Sequence, residues 1–324
     1  MGIYDKRAAF KPYEHPEIIR FKEAINHAYW LFSEFNFTAD VHDFHKTLTP
    51  IQKNAIKNTL LAISQIEISV KKFWRQLGDR IPKAEFEQVG VTFAESEVRH
   101  ADAYSHLLQV LGMNDDFALL LENPVIQGRV NYLTKYLAGA ADSSNEKYAL
   151  TLTLFSLFIE NVSLFSQFLI IKSFNKNLNI LKDIDNVVQA TQKEEQIHAL
   201  FGAELIRIIK AEFPEWFNDA FYQKVIRASK KAFEAESGII DWIFEDGELE
   251  FLPKDVVKEF IKQRFNESLE MIGCPAAFVP DQNLLKDVAW FNEELHVEVN
   301  SDFFNKKPVT YSKKVQSITA GDLF

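Results

Sequence analysis

FAESEVRHADAY, residues 93–104, and KEEQIH, residues 193–198, decide how this chain folds. Each sets a Glu three residues before a His: Glu97 with His100, and Glu195 with His198. On a helix, positions i and i+3 share a face, so each pair aims a carboxylate and an imidazole the same way. Outward from these pairs, each is preceded by a lone Glu in an apolar stretch. Glu67 lies in LLAISQIEISVKKFW, residues 60–74, and Glu160 in LTLFSLFIENVSLFSQFLII, residues 152–171, where it is the only charge. Glu67 precedes Glu97 by 30 residues and Glu160 precedes Glu195 by 35. Two helical hairpins carrying equivalent residues generate that pattern.

Two such hairpins face to face bring Glu67, Glu97, His100, Glu160, Glu195 and His198 together. One Glu from each of two helices, and Glu-x-x-His from each of two more, is the ligand inventory of ferritin-like dimetal proteins. The expected fold is therefore all-α: a ferritin-like helical bundle with a dimetal-carboxylate site in its core. Four ionised Glu carry −4, which two divalent cations cancel. Four bare carboxylates in a core would be prohibitively costly. Oxygen-rich shells with one imidazole per metal suit iron or manganese better than structural zinc.

A single Glu-x-x-His is weak evidence. With 28 Glu and 8 His in the chain, random placement gives about 0.7 occurrences. A third pair, Glu293 with His296, is read as a decoy, because it follows the last predicted long helix and has no partner hairpin. Glu67 is the least secure ligand, since Lys71 stands one turn away and an ordinary surface Glu–Lys pair has the same spacing.

Composition agrees with a helical protein. Only 11 Gly and 10 Pro occur in 324 residues, and 29 Phe can fill wide spaces between helices. The apolar period predicts helices over 16–37, 50–77, 82–111, 145–174 and 177–213, a shorter one from Pro124, and two or three more up to Met271. Residues 1–297 are expected to form the dimetal domain. Residues 298–324 lack amphipathic period and are expected to be a flexible tail ending in Asp322-Leu323-Phe324. A frayed end without a role fits that composition equally well.

The net charge of −10 argues against nucleic acid and against an anionic membrane as partners. No signal core and no membrane span are expected, which points to the cytoplasm. The single cysteine, Cys274, excludes an internal disulfide and a thiolate zinc cluster.

Tyr104 follows Glu97 and His100 on the same face, so its phenol should approach the metals. Trp30, in NHAYWLFSEF over residues 26–35, is expected on the first helix. Glu194 directly precedes Glu195 and could orient a ligating His. Lys71 can place an ammonium beside the ligands and shift their proton and redox balance.

On these segments the chain resembles the radical-generating small (beta) subunit of class I ribonucleotide reductase, over nearly its full length. The resemblance implies that the six residues above are the metal ligands. It puts Tyr104 at the radical-tyrosine position and Trp30 at the near-metal tryptophan of the electron-transfer route. It makes Tyr311 the tail tyrosine that relays the radical, and the last residues the peptide that docks on the large (alpha) subunit. A homodimer is implied as well. Glu67 in place of the commoner Asp, together with Lys71, resembles a manganese-using subgroup often called class Id. There the oxidant resides on two manganese ions and the tyrosine forms no stable radical, so two manganese are expected before di-iron or mixed manganese/iron. The rival readings are an acyl-carrier-protein desaturase type of oxidase and a non-enzymatic iron-storage protein. The former does not predict a tail with an isolated Tyr, and chains of the latter kind are usually about half this length and assemble as cages.

Overall fold

Helix α1 (Ile19–His27) turns Phe21, Ala24 and Ile25 into the core and stops short of its expected end. In the computed structural model, which describes residues 2–7, 9–140 and 144–301, Ala28 closes α1 and Leu31 is extended at φ −128°, ψ 145°. Trp30 therefore lies beyond the helix, not on it. Leaving the helix turns its ring inward to 5% exposure and onto a hydrogen bond with Glu194. Tertiary burial outweighs local helix preference here.

The next two helices carry the first hairpin. Thr49 opens α2 (Pro50–Arg75) with a capping box: its hydroxyl accepts from Gln52 N, and the Gln52 side chain accepts from Thr49 N. The break after α2 falls at Gln76, and Gly78 sits inside the short helical turn Leu77–Arg80 rather than ending the long helix. Helix α3 (Ala84–Val110) then packs closely on α2. A Cβ at Gly90 would stand 2.6 Å from the Trp74 carbonyl oxygen, so the approach requires glycine.

After α4 (Pro124–Ala140), Ser144 caps α5 (Asn145–Leu178) by accepting from Lys147 N. The middle of α5, Phe155–Ser163, is π-helical and carries Glu160. Helix α5 holds an 18-residue window of mean hydropathy 1.7, long and apolar enough by length and composition to cross a membrane, where no span was expected. Every residue of that window is buried inside the bundle, as expected of a core helix enclosed on all sides.

Asn179 and Leu181 are left-handed, at φ 57° and 56°, and separate α5 from α6 (Lys182–Glu212). The expected start near Asn177 is thus displaced. No side chain of α6's own N-cap residue caps it. Asp40, from the helical turn Thr38–His42, accepts from Asp183 N at 3.2 Å and Ile184 N at 3.3 Å, while Asp43 accepts from Leu181 N. A cap supplied from elsewhere in the chain satisfies the orphan donors.

Helices α7 (Asp219–Ile243), α8 (Lys254–Met271) and α9 (Ala289–Ser301) complete the fold. Helix α9 carries Glu293, which is exposed, and the backbone of His296, so the decoy pair sits on a helix rather than after the last one. Tyr311 and the remaining tail, 302–324, lie outside the described residues. Among the described residues there is no strand; one isolated bridge joins Leu249 to Leu252. Phenylalanines fill the interhelical space: Phe73 stacks on Phe155 at 3.7 Å, and Phe93 meets Phe201 edge-on at 5.2 Å. The single cysteine is buried, and burial pushes its thiol up to about 11.

Candidate metal centre

Four helices converge on one buried cluster. Helix α2 supplies Glu67, α3 supplies Glu97 and His100, the π segment of α5 supplies Glu160, and α6 supplies Glu195 and His198; none is more than 1% exposed. Two groups form within it. Glu97, Glu160, Glu195 and His198 make one, and Glu67, His100 and Glu195 the other, each with ligand atoms within 4.8 Å of one another.

The distances give the topology. Glu97 sets Oε2 3.4 Å from His100 Nδ1 and Oε1 3.1 Å from His198 Nδ1. Glu195 sets Oε1 3.1 Å from His100 Nδ1 and Oε2 3.5 Å from His198 Nδ1. Each of these carboxylates therefore offers one oxygen to each imidazole, the arrangement of a bridging ligand. Glu67 Oε2 stands 3.9 Å from His100 Nδ1, and Glu160 Oε2 3.4 Å from His198 Nδ1, one terminal carboxylate per side.

These atoms fit a pair of cations. Both oxygens of Glu97 and Glu195, Glu160 Oε2, and Nδ1 of both imidazoles are buried without a hydrogen-bond partner. Buried polar atoms are nearly always satisfied, so seven orphans turned on one space require a ligand. Carboxylates with one imidazole per side form a donor set for iron or manganese.

Without cations, protons carry the balancing charge. Burial would lower both imidazoles, but the facing carboxylates of Glu160 and Glu97 lift His198 to about 9. Contacts with Glu194, Glu195 and Glu97 likewise lift His100 well above its usual value against burial. Burial would raise Glu97, yet the two imidazoles hold it below the carboxylate range. Burial, with Glu97 and Glu160 adding like charge, drives Glu195 well up. Cations bound here would displace protons.

The outer nitrogens of the two His differ. His100 Nε2 meets Glu194 Oε2 at 2.7 Å, and the Trp30 indole N–H donates to the same oxygen at 3.2 Å. The two rings lie nearly parallel, 6.0 Å apart. Arg99 forks onto Glu194 at 3.0 and 3.2 Å and also donates to the Trp30 carbonyl at 3.3 Å. His198 Nε2 instead meets Ser96 Oγ at 3.0 Å, and Glu160 Oε1 accepts the Trp74 indole N–H at 2.8 Å. One side of the cluster thus opens on a charged, hydrogen-bonded line, and on the other Phe93 packs against the His198 ring at 4.2 Å.

Tyr104 lies beside the cluster, but its hydroxyl donates to Thr191 Oγ1 at 3.3 Å. Burial, reinforced by the Glu67 charge, raises its phenol well above 10 and keeps it protonated. A cavity of about 310 Å³ lined by Glu67, Asp102, Tyr104, Ser105 and Asn114 leads to this side. Lys71 has its backbone in α2, one turn after Glu67; its side chain lies outside the described set.

Trp74, Ser96, Arg99 and Thr191 were not singled out from sequence. Trp74 had a signal, since it follows Glu67 by seven residues and shares its face. Arg99 had none, because an Arg on a long helix reads as solvated.

Comparison with known proteins accords with this geometry. The profile of the family described as ribonucleotide reductase, small chain, matches residues 7–283. The protein named ribonucleoside-diphosphate reductase small subunit 048L of Invertebrate iridescent virus 3 is 27% identical over 322 residues, covering 95% of this chain and 85% of that one. The ribonucleotide reductase R2 subunit of Clostridium botulinum superposes with a TM-score of 0.75 at 15% identity, covering 85% of this chain and 87% of that one. The dimanganese(II)-NrdF of Streptococcus sanguinis gives 0.69 at 17% identity, covering 88% and 99%. At such identities the structural likeness shows a shared fold.

Proposed function

The chain belongs to the ribonucleotide reductase small-chain family, and from that premise we propose how its buried cluster serves the reaction. Its function is that of the small subunit of class I ribonucleoside-diphosphate reductase, whose dimetal centre generates the oxidant for a separate large subunit. In our reading Glu67 and His100 would hold one metal and Glu160 and His198 a second, with Glu97 and Glu195 offering an oxygen to each side. The observation that supports it is the set of orphaned buried donor atoms, seven on one space. When bound, the metals supply a stored one-electron oxidant.

The protein's own residues carry that equivalent outward. Trp30, Glu194 and His100 share one carboxylate oxygen through two hydrogen bonds. An electron leaving Trp30 toward the site can be accompanied by movement of the indole proton onto Glu194. Arg99 keeps that carboxylate aimed. Tyr311 then relays the radical, and the tail to Phe324 docks on the large subunit. We also infer a homodimer, and a cytoplasmic setting in which the buried Cys274 stays a thiol.

Two manganese ions are favoured over di-iron or mixed manganese/iron. The presence of both Glu67 and Lys71 in the sequence supports this, and a protein of the same fold has been obtained as a dimanganese form. Tyr104 is then a bystander, consistent with its bond to Thr191.

Apo-protein reloaded with iron alone or manganese alone, then assayed with the large subunit and by electron paramagnetic resonance, tests the reading. Turnover with manganese and no tyrosyl signal is expected; turnover with iron alone and a tyrosyl signal overturns the metal assignment. Deleting the last 20 or so residues should abolish turnover and pull-down of the large subunit while leaving metal content intact. Retained turnover would favour another ferritin-like oxidase.

A further inference from the structure

Glu160 stands on the one ligand-bearing segment whose helix is not α. A π turn closes its hydrogen bonds at i→i+5 rather than i→i+4, so its carbonyls do not sit where an α turn would place them. Two of these carbonyls are met by buried arginines from other helices. Arg264 of α8 donates to Asn161 O from Nε at 3.1 Å and from Nη2 at 2.9 Å, and Nη2 also reaches Asn161 Oδ1. Arg129 of α4 donates from Nη2 to Ser163 O at 3.4 Å and to Gln167 Oε1 at 3.1 Å, and from Nη1 to Ala62 O at 2.9 Å on α2.

The two guanidiniums are held in place by different means. Arg129 is paired with Glu236 at 2.8 Å and is wholly buried. Arg264 is 6% exposed; its nearest acid is Glu267 at 3.4 Å, and it lies over the Phe165 ring at 4.1 Å. A fork of donors on backbone oxygen is what arginine's planar head provides and lysine's does not.

We propose that Arg264, assisted by Arg129, is a positioning residue for the metal site: it holds the segment Phe155–Ser163 in π register and so keeps Glu160 aimed between Trp74 and His198. The consequence is geometric. Glu160 Oε1 is fixed by the Trp74 indole at 2.8 Å, which leaves Oε2 facing His198 at 3.4 Å. Reversion of one residue to α register would turn Glu160 by up to roughly 100° about the helix axis, taking Oε2 away from the site. The inference rests on the reading of Glu160 as a ligand.

R264M is the sharpest test, because it leaves no closely paired acid buried without its partner. Manganese binding to the apo-protein is followed by calorimetry, and hydrogen exchange of the 155–163 amides is measured on the same apo-protein. One of the two binding events should weaken about tenfold or more, the scale for losing a residue that orients a ligand. The other should be unchanged, exchange over 155–163 should speed up, and R264K should recover part of the loss. R264Q, which keeps a donor pair, replaces R264M if the latter does not fold. E160A is the control. If E160A removes one binding event but the Arg264 variants leave both intact, the positioning role is overturned and the ligand reading stands. If E160A leaves both events intact, the ligand reading itself has failed. Equal weakening of both events by R264M would show a general structural role and also overturn the proposal.

Discussion

Trp30 and Glu194 are 164 residues apart in sequence and joined by a 3.2 Å hydrogen bond between the indole N–H and a carboxylate oxygen that also holds His100. If this line carries the equivalent outward, W30F should bind metal like the parent and show the same resonance spectrum. Its turnover with the large subunit should fall by at least about tenfold. E194Q should lower turnover too, because an amide nitrogen in place of Oε1 cannot accept from Arg99 and an amide oxygen is a poor acceptor for the indole proton. Metal content measured beside turnover separates a lost route from a lost site. A W30F protein turning over at the parent's rate would remove Trp30 from the route.

The cap that Asp40 places on α6 gives a pH signature. Burial raises this carboxyl to about 6 in the folded protein, against the lowering effect of its bonds from Ile184 N and Asp183 N, from an ordinary value of 3.8. Between those values the unfolded chain has released the proton and the folded chain still holds it. Stability from this group is therefore fully present below about pH 4, declines as pH rises toward 6, and is level above it. D40N keeps an acceptor and removes the titration. Unfolding in urea at several pH values should show the parent losing ground to D40N across that window and keeping a constant offset above it. D40A loses the acceptor as well, and should be less stable by about 1–2 kcal/mol.

How much of this was legible beforehand depends on whether the signal was local. Glu97 with His100 and Glu195 with His198 were readable because i and i+3 fix a shared face whatever surrounds them. Glu160 was readable because a lone charge in an apolar run needs a reason. The all-α bundle followed from the same periodicity. What could not be read were features set by distant contacts. Trp30 leaves its expected helix because Glu194 and Arg99 hold it elsewhere. Helix α6 starts late because Asn179 and Leu181 turn left-handed, with Asp40 and Asp43 waiting to cap the donors. The π segment has no composition signal, and neither do the arginines that meet its carbonyls. Hydropathy alone does not separate such a helix from a membrane span: the apolar window of α5 has that profile and is buried in the core.

Packing between α6 and the π segment should be intolerant of added volume. A Cβ placed on Gly202 would collide with the side chain of Ser156. Gly202 is buried and four residues beyond His198, so neither helix can yield without moving a proposed ligand. G202A is expected to lose roughly 1–3 kcal/mol in chemical denaturation. G202A combined with S156G should recover much of that loss, since the clash is with a side chain. No recovery in the double variant would mean the helix axes themselves are held apart by other contacts.

Tyr104 offers the clearest division between a metal-centred and a tyrosine-centred oxidant. Its hydroxyl is committed to Thr191, which in turn donates to the Val187 carbonyl of its own helix, and the phenol is kept protonated by burial and the Glu67 charge. Oxidising a phenol requires its proton to leave, and Thr191 is a poor base. In the manganese-loaded protein Y104F should therefore keep turnover within about twofold of the parent, with no tyrosyl feature lost from the spectrum because none is present. T191V tests the same point from the other partner. It removes the acceptor and leaves the phenol free to turn toward the carboxylates lining its cavity, so any tyrosyl signal should emerge in T191V and not in the parent. A Y104F protein that binds two manganese ions and cannot turn over would place Tyr104 on the route after all.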